Sequence, residues 1–114
     1  MTDCLFCSIA RGEIPCDKVF EDEHLLAFRD IHPQAQVHIL IIPKEHITGL
    51  NGLDSAQDTL LASLMRAAKT IAEAEGIRAS GYRLVSNCGP DACQSVPHLH
   101  FHILGGQQLS ARMN

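Results

Sequence analysis

Apolar residues recur at helical spacing in two segments of this chain, and each segment is predicted to form a helix. Within residues 4–11 they fall at helical intervals, and Gly12 follows at the position where glycine commonly ends a helix. A much longer segment, 53–75, carries apolar residues at every third or fourth position, which predicts an amphipathic helix. Its apolar stripe comprises Leu60, Leu61, Leu64, Met65, Ala68, Ile71 and Ala72.

Shorter apolar or alternating runs predict a β-sheet. The predicted strands are 19–21, 24–29, 37–42, 81–87 and 97–104. The order of helix, strands, helix and strands predicts an α+β fold with a mainly antiparallel five-stranded sheet. A length of 114 residues fits one domain, 1–114.

Composition and charge narrow the class of protein. Hydrophobic residues make up 46% of the chain, enough for a single core, and no apolar run approaches the roughly 20 residues that span a bilayer. The start, Met1-Thr2-Asp3-Cys4, lacks the features of a signal peptide, so we expect a cytoplasmic protein. A net charge of −4 argues against binding a nucleic acid but is compatible with binding one nucleotide.

Three histidines alternate with apolar residues near the end of the chain, at His98, His100 and His102. On a strand they would form one row, spaced about 6.5–7 Å apart per step. Imidazole titrates near pH 6.5, so its neutral form can attack phosphorus while a charged neighbour delivers a proton. The residues alone also allow a metal-binding row or a solvated polar face.

The residues around this row resemble a known family. The stretch 94–106 (QSVPHLHFHILGG) resembles the signature of the histidine-triad (HIT) superfamily. Segments 28–35 (FRDIHPQA), 41–47 (IIPKEHI) and 81–87 (GYRLVSN) resemble its histidine-triad nucleotide-binding branch. The resemblance implies a HIT-like fold, a homodimer and an adenosine phosphoramidase. Such an enzyme hydrolyses the P–N bond between a purine nucleoside 5′-monophosphate and an amine through a nucleotidyl-histidine intermediate, with no cofactor required for catalysis.

The same resemblance implies a role for each site residue. His100 is the expected nucleophile, His102 the contact to the α-phosphate, and His98 and His38 parts of a proton network. The expected nucleotide contacts are Asp30 for the ribose hydroxyls, Asn87 and Ser95 near the phosphate and leaving group, and Phe6, Ile9, Phe28 and Ile31 for the base. Without the resemblance, Asp30 would be interpreted as a turn former, and the four apolar residues as core.

The pair Cys4-x-x-Cys7 is half of a typical zinc site. In some relatives with this pair, the resemblance implies a structural zinc completed by the residues that correspond to His46 and His98. The alternative is that both thiols are reduced and pack the first helix. Because zinc and the proton network both require His98, its role is open at this point.

Two other functions are compatible with the sequence, and two departures from the branch bear on specificity. The alternatives are a dinucleoside polyphosphate hydrolase and a nucleotide- or zinc-binding module that associates with partner proteins. Cys93 stands where the branch usually has glycine, and the tail 107–114 has no tryptophan. The helix at 54–75 and the strand at 81–87 are the expected homodimer interface.

Overall fold

The chain folds into one antiparallel sheet with a helix on each face, as seen in a computed structural model that describes residues 4–113. The elements are α1 (Leu5–Ala10), β1 (Lys18–Glu21), β2 (Leu25–Arg29), β3 (Val37–Pro43), α2 (Asp58–Ala74), β4 (Tyr82–Val85) and β5 (Phe101–Gly105). The sheet order is β1-β2-β3-β5-β4, with all neighbours antiparallel. This confirms the predicted α+β fold. Within residues 4–113, no helix has the length and apolar character needed to cross a membrane.

The two faces of the sheet bury two separate apolar clusters, because successive side chains on a strand point to opposite sides. One face packs against α2 through Leu25, Ala27, Ile39, Ile41 and Ile103. The other packs against α1 through Leu26, Phe28, Leu40 and Ile42. The sheet is covered on both sides, which explains why β3 is apolar almost throughout.

The long helix begins later than the predicted residue 53. Two 3₁₀ turns, Leu50–Gly52 and Ser55–Gln57, precede α2. The Asp54 carboxylate accepts the Ala56 N–H at 2.8 Å, and the Gln57 side chain accepts the Asp54 N–H at 2.9 Å. This reciprocal cap is satisfied by a tight turn, so the α-helix itself starts only afterwards.

The predicted apolar stripe of this helix is only partly a core stripe. Met65 is 41% exposed, and the prediction was wrong there because a residue adjacent to Leu64 lies about 100° around the helix. The buried residues are Leu64, Ala67, Ala68, Ile71 and Ala72. Met65 therefore leaves an apolar side chain exposed on α2.

The last strand is shorter than the predicted 97–104, and of the three histidines in the row only His102 lies within it. The partner strand β3 ends at Pro43, which has no N–H with which to continue the ladder. The segment before β5 is held differently, because the Leu99 N–H donates to the Ile47 carbonyl at 2.6 Å. The prediction of one regular row of imidazoles on a strand was therefore wrong for the first two.

Candidate active site

Two histidines meet on the face of the sheet that carries α1. His102 on β5 stands opposite Leu40 on β3, so His38 is its diagonal neighbour on the same face. Their rings are joined by a 2.9 Å contact from His38 Nε2 to His102 Nδ1. The polar residue inside the apolar strand β3 is thus part of the histidine cluster.

A main-chain amide favours one placement of the ring hydrogens in this pair. The Gln34 N–H donates to His38 Nδ1 at 3.0 Å, so a neutral His38 carries its hydrogen on Nε2. That hydrogen is donated to His102 Nδ1. A neutral His102 therefore carries its own hydrogen on Nε2, and its ring ends in an N–H donor on the side away from His38.

His100 has the opposite arrangement. Its Nδ1 lies 2.7 Å from the His98 carbonyl, which only accepts, so Nδ1 carries the hydrogen and Nε2 keeps a lone pair. The ring is buried, with 3% exposure. The Ser86 hydroxyl also holds its backbone by donating to the His100 carbonyl at 2.8 Å. The His100 and His102 ring centroids are 5.2 Å apart. A lone pair and an N–H donor are thus placed side by side.

Burial keeps the His38–His102 pair neutral near pH 7. Desolvation, followed by the neighbouring His100 and His38, lowers the pKa of His102 to about 4, although the Asp30 carboxylate opposes the shift. Burial also lowers the pKa of His38, while the nearby Asp30 carboxylate opposes that shift. Neutral imidazoles are the state in which the hydrogen-bond directions described above apply.

A second cluster lies behind the first, where α1 meets the end of β3. Cys4 Sγ and Cys7 Sγ lie 3.3 and 3.5 Å from His98 Nδ1, and Cys7 Sγ lies 3.2 Å from His46 Nδ1. All four donor atoms lie within 4.8 Å of one another. A tetrahedral zinc with Zn–S near 2.3 Å and Zn–N near 2.0–2.1 Å would separate sulfur from nitrogen by about 3.5 Å. The donor set and its spacing fit a Cys₂His₂ metal site.

The ring of His98 is fully used by this cluster. Its Nε2 donates to the Pro43 carbonyl at 2.8 Å, which leaves the Nδ1 lone pair directed at the thiols. Burial lowers its pKa, which favours the neutral, ligating form. Both ring nitrogens of His98 thus face partners other than the triad histidines, while its carbonyl accepts from His100 Nδ1. The expected part of His98 in a proton network stays a prediction.

Asp30, His38 and His102 also lie close enough to share an ion, with donor atoms within 4.8 Å. The hydrogen bonds argue against that use. Because Gln34 occupies Nδ1 of His38, the nitrogen that faces the other two residues carries a hydrogen and has no lone pair to offer. This group is arranged as a chain of hydrogen bonds.

Most of the predicted nucleotide-contacting residues surround these histidines. Phe6 packs edge-on against His100, with ring centroids 5.0 Å apart, and against Phe28 at 5.7 Å. Ile9 and Phe28 are buried in the same cluster, whereas Ile31 is 85% exposed and lies outside it. Phe6 on α1 therefore lies beside His100, and Phe28 on β2 packs against Phe6.

The three residues predicted to make polar contacts with the nucleotide differ in burial and in their polar contacts with the histidines. The Asp30 side chain is 19% exposed, and its Oδ2 lies 3.4 Å from His38 Nε2. Asn87 is half-buried and Ser95 is exposed. Within residues 4–113, neither is hydrogen-bonded to a histidine of the site, so their expected roles beside the phosphate stay predictions.

One residue missed in the sequence ties the site loops together. The Gln94 side chain donates to the carbonyls of Thr48 and Val96, at 2.7 and 3.0 Å, and accepts the Gly89 N–H at 2.9 Å. It thereby joins the segment that carries His46 to the loop before the triad. These partners are backbone groups, and the only sequence signal was the position of Gln94 inside the signature.

The departure at Cys93 has a backbone consequence. Within residues 4–113 it is the one non-glycine residue with positive φ, at 60°, where it ends a short 3₁₀ turn. The left-handed conformation favours glycine, because a Cβ atom crowds the following carbonyl. The cysteine therefore keeps the loop conformation that a glycine would adopt, and it does so under strain.

A buried imidazole with a directed lone pair, beside a second imidazole that presents an N–H, defines a histidine-based nucleophilic site. Residues 11–109 match the family described as the HIT domain, and the chain belongs to that family. This confirms the resemblance at the level of the family.

Two relatives and one solved structure illustrate the similarity. The chain is 49% identical to a 14 kDa zinc-binding protein from Zea mays, covering 93% of this chain and 84% of that protein. It is 47% identical to Adenylylsulfatase HINT1 from Arabidopsis thaliana, covering 93% and 73%. It superposes on a HIT family hydrolase from Legionella pneumophila Philadelphia 1 with a TM-score of 0.96 and 50% identity, covering 98% and 100%.

Proposed function

We propose that this protein is a hydrolase of the histidine-triad nucleotide-binding branch that cleaves the P–N bond of purine nucleoside 5′-phosphoramidates. The observation that carries the proposal is the 2.7 Å contact between His100 Nδ1 and the His98 carbonyl. It leaves the Nε2 lone pair of His100 available to attack, which is the requirement for a nucleophilic imidazole at neutral pH.

In the first step, His100 Nε2 forms a bond to phosphorus. The P–N bond of the substrate breaks with its electron pair on the amine nitrogen, which takes up one proton from solvent water and leaves as the free amine. His102 donates its Nε2–H to a phosphate oxygen, so that negative charge developing there faces a fixed donor. Because the His98 carbonyl accepts from the other nitrogen of His100, it stabilises the positive charge that the ring acquires.

In the second step, water attacks phosphorus from the side the amine has left. The P–Nε2 bond breaks, its electron pair returns to His100, and the attacking water gives one proton to the solvent, which replaces the proton taken up by the amine in the first step. The nucleoside monophosphate is released and the imidazole regains its starting form. Dividing the hydrolysis in this way replaces one difficult displacement by two easier ones.

Substitution of the nucleophile tests this proposal. His100→Ala should abolish turnover of an adenosine 5′-phosphoramidate while AMP binding, measured by calorimetry, persists. The matched control is His24→Ala, since that side chain is 70% exposed and lies beside Glu23, not beside a histidine of the site. Rapid quenching of the wild-type reaction should give a peptide containing His100 with one added nucleotidyl group. Full activity of His100→Ala would contradict the proposal.

Adenylyl sulfate is a second candidate substrate, favoured by the name of the Arabidopsis relative. The same nucleophile would serve, with sulfate leaving in place of an amine. A substrate panel distinguishes the possibilities. It contains an adenosine phosphoramidate, its guanosine counterpart, adenylyl sulfate and a dinucleoside polyphosphate, compared by kcat/KM. Our proposal expects the highest kcat/KM for the phosphoramidates. A highest kcat/KM for the dinucleoside polyphosphate would instead identify the protein as a dinucleoside polyphosphate hydrolase.

We also propose that Cys4, Cys7, His46 and His98 hold a structural zinc, in keeping with the zinc-binding name of the maize relative. When bound, the ion would supply a cross-link between α1 and the segments before and after the long helix, and no catalytic step passes through it. Metal analysis of protein purified without chelator should give one zinc per chain. Cys4→Ser should lose that zinc and lower the melting temperature, whereas the exposed Cys93→Ser should retain it.

The expected homodimer belongs to the same proposal. β4 is an edge strand of the sheet, and Met65 on α2 and Tyr82 on β4 are 41% and 39% exposed. Edge strands with exposed apolar neighbours are suited to pairing with a second copy. Light scattering after gel filtration should give twice the chain mass, and Met65→Glu should shift it towards the monomer.

A further inference from the structure

The carboxylate of Asp30 faces the imidazole pair as well as the open side of the site. Its Oδ1 accepts the His32 N–H at 2.8 Å, which fixes the side chain. Its Oδ2 is thereby held 3.4 Å from His38 Nε2. A contact with the ribose hydroxyls alone does not require the carboxylate to lie beside this ring.

The position of this carboxylate favours one tautomer of His38. With the hydrogen on Nε2, the ring presents its positive edge to the carboxylate and its lone pair to the Gln34 N–H. With the hydrogen on Nδ1, two donors would face each other at Gln34, and a lone pair would face a negative oxygen. Both contacts are repulsive, so Asp30 and the Gln34 amide select the same tautomer from opposite sides of the ring.

The tautomer of His38 determines the tautomer of His102. When His38 donates from Nε2, His102 accepts at Nδ1 and presents an Nε2–H to the phosphate. If His38 carried its hydrogen on Nδ1, then His102 would donate back to it. The Nε2 lone pair of His102 would then face a phosphate oxygen and repel it. Which nitrogen of His102 carries its hydrogen thus depends on which nitrogen of His38 does.

We propose that Asp30 is a positioning residue for the His38–His102 pair, holding the His38 hydrogen on Nε2 so that His102 donates to the phosphate. This inference rests on the proposed function, because it assigns the donor that the phosphate meets. It adds a role in the chemical step to the sugar contact expected of Asp30. One carboxylate then serves both the ribose and the phosphate chain, and its loss affects kcat whether or not the substrate has ribose hydroxyls.

The tautomer can be measured without any turnover, by long-range ¹H–¹⁵N NMR of the imidazole rings in the native protein. The wild type should show His38 with hydrogen on Nε2. Asp30→Asn keeps an oxygen for the His32 N–H but replaces the charged oxygen by an amide, and should shift His38 towards the other tautomer or an exchanging mixture. A wild type with hydrogen on Nδ1, or a variant with unchanged ring signals, would overturn the proposal.

Kinetics on two substrates separate the two roles of Asp30. They are an adenosine phosphoramidate and its 2′,3′-dideoxy analogue, which cannot make the ribose contact. Asp30→Asn should lower kcat roughly 10- to 100-fold on both, less than the roughly 10⁴-fold seen where a carboxylate alone sets the tautomer. Asp17→Asn is the matched control, since it removes the same charge from a side chain that is 74% exposed.

The outcomes identify which claim fails. If Asp30→Asn equals the wild type on the dideoxy analogue, Asp30 acts through the sugar alone and the inference is wrong. If the wild type hydrolyses neither substrate, the proposed function is wrong, and the NMR measurement still decides the tautomer. A loss of kcat on both substrates together with the shift in ring signals supports the inference.

Discussion

The half-buried imidazole of His102 should make the folded protein sensitive to acid. Burial, followed by His100 and His38, lowers its pKa to about 4, against 6.5 for an ordinary histidine. Between these values the unfolded chain binds a proton at this residue and the folded protein does not. The contribution to stability is therefore complete above about pH 6.5 and is lost as pH falls towards 4. Each pH unit in that window removes about 1.4 kcal/mol, or about 3 kcal/mol in total.

His102→Asn isolates this contribution, because the asparagine does not titrate and its oxygen can accept the His38 N–H in place of Nδ1. Urea unfolding is measured for both proteins at intervals from pH 7 to 4. A chelator is present throughout, so that protonation of the Cys/His cluster cancels in the comparison. The variant should lose about 3 kcal/mol less than the wild type over this range. Parallel curves would refute the reasoning, since they would mean that the folded protein binds a proton at His102 as readily as the unfolded chain.

Three further predictions concern packing and backbone conformation. Cys93→Gly should raise the free energy of unfolding by about 1 kcal/mol and the melting temperature by about 4 °C, because it relieves a left-handed φ, and Cys93→Ala should bring no gain. Leu64→Ala should cost roughly 3 kcal/mol in urea unfolding because its side chain is fully buried, whereas Leu50→Ala, whose side chain is 54% exposed, should cost under about 1 kcal/mol. Gln94→Ala should speed hydrogen exchange of the Gly89 amide by roughly tenfold, and an unchanged rate would show that this side chain does not hold the loop.

The fold was predictable because burial follows periodicity. β3 lies between two covered faces and is apolar except for His38, and α2 buries one stripe, so each left a clear pattern in the sequence. The errors lie at element boundaries. Asp54 and Gln57 form a local cap that delays the helix, and Pro43 ends the ladder that would have extended β5. Both effects come from hydrogen bonds that depend on conformation, and apolar spacing carries no record of them.

The residue types of the site were predictable from the sequence, but the separate hydrogen-bonding role of each histidine was not. The resemblance brought His38, His98, His100 and His102 together as one network, and the structure places all four near one another. It also separates them, because His98 turns both ring nitrogens towards the thiols and Pro43. Apart from the thiols, the partners that separate them are main-chain groups, which every residue has, so no sequence motif marks them.

The direction of each backbone partner accounts for this separation. His98 and His100 each give their hydrogen to a carbonyl, so each keeps a lone pair on the opposite nitrogen, suited to a metal ion or to phosphorus. His38 receives a hydrogen bond from an amide, so its hydrogen faces the other way and the His38–His102 chain ends in a donor suited to a phosphate oxygen. Because the His98 carbonyl holds the His100 ring while the His98 ring faces the thiols, the Cys/His cluster and the proposed nucleophile share one residue. A change that moves His98 in its cluster must therefore also move the carbonyl that keeps the His100 hydrogen on Nδ1.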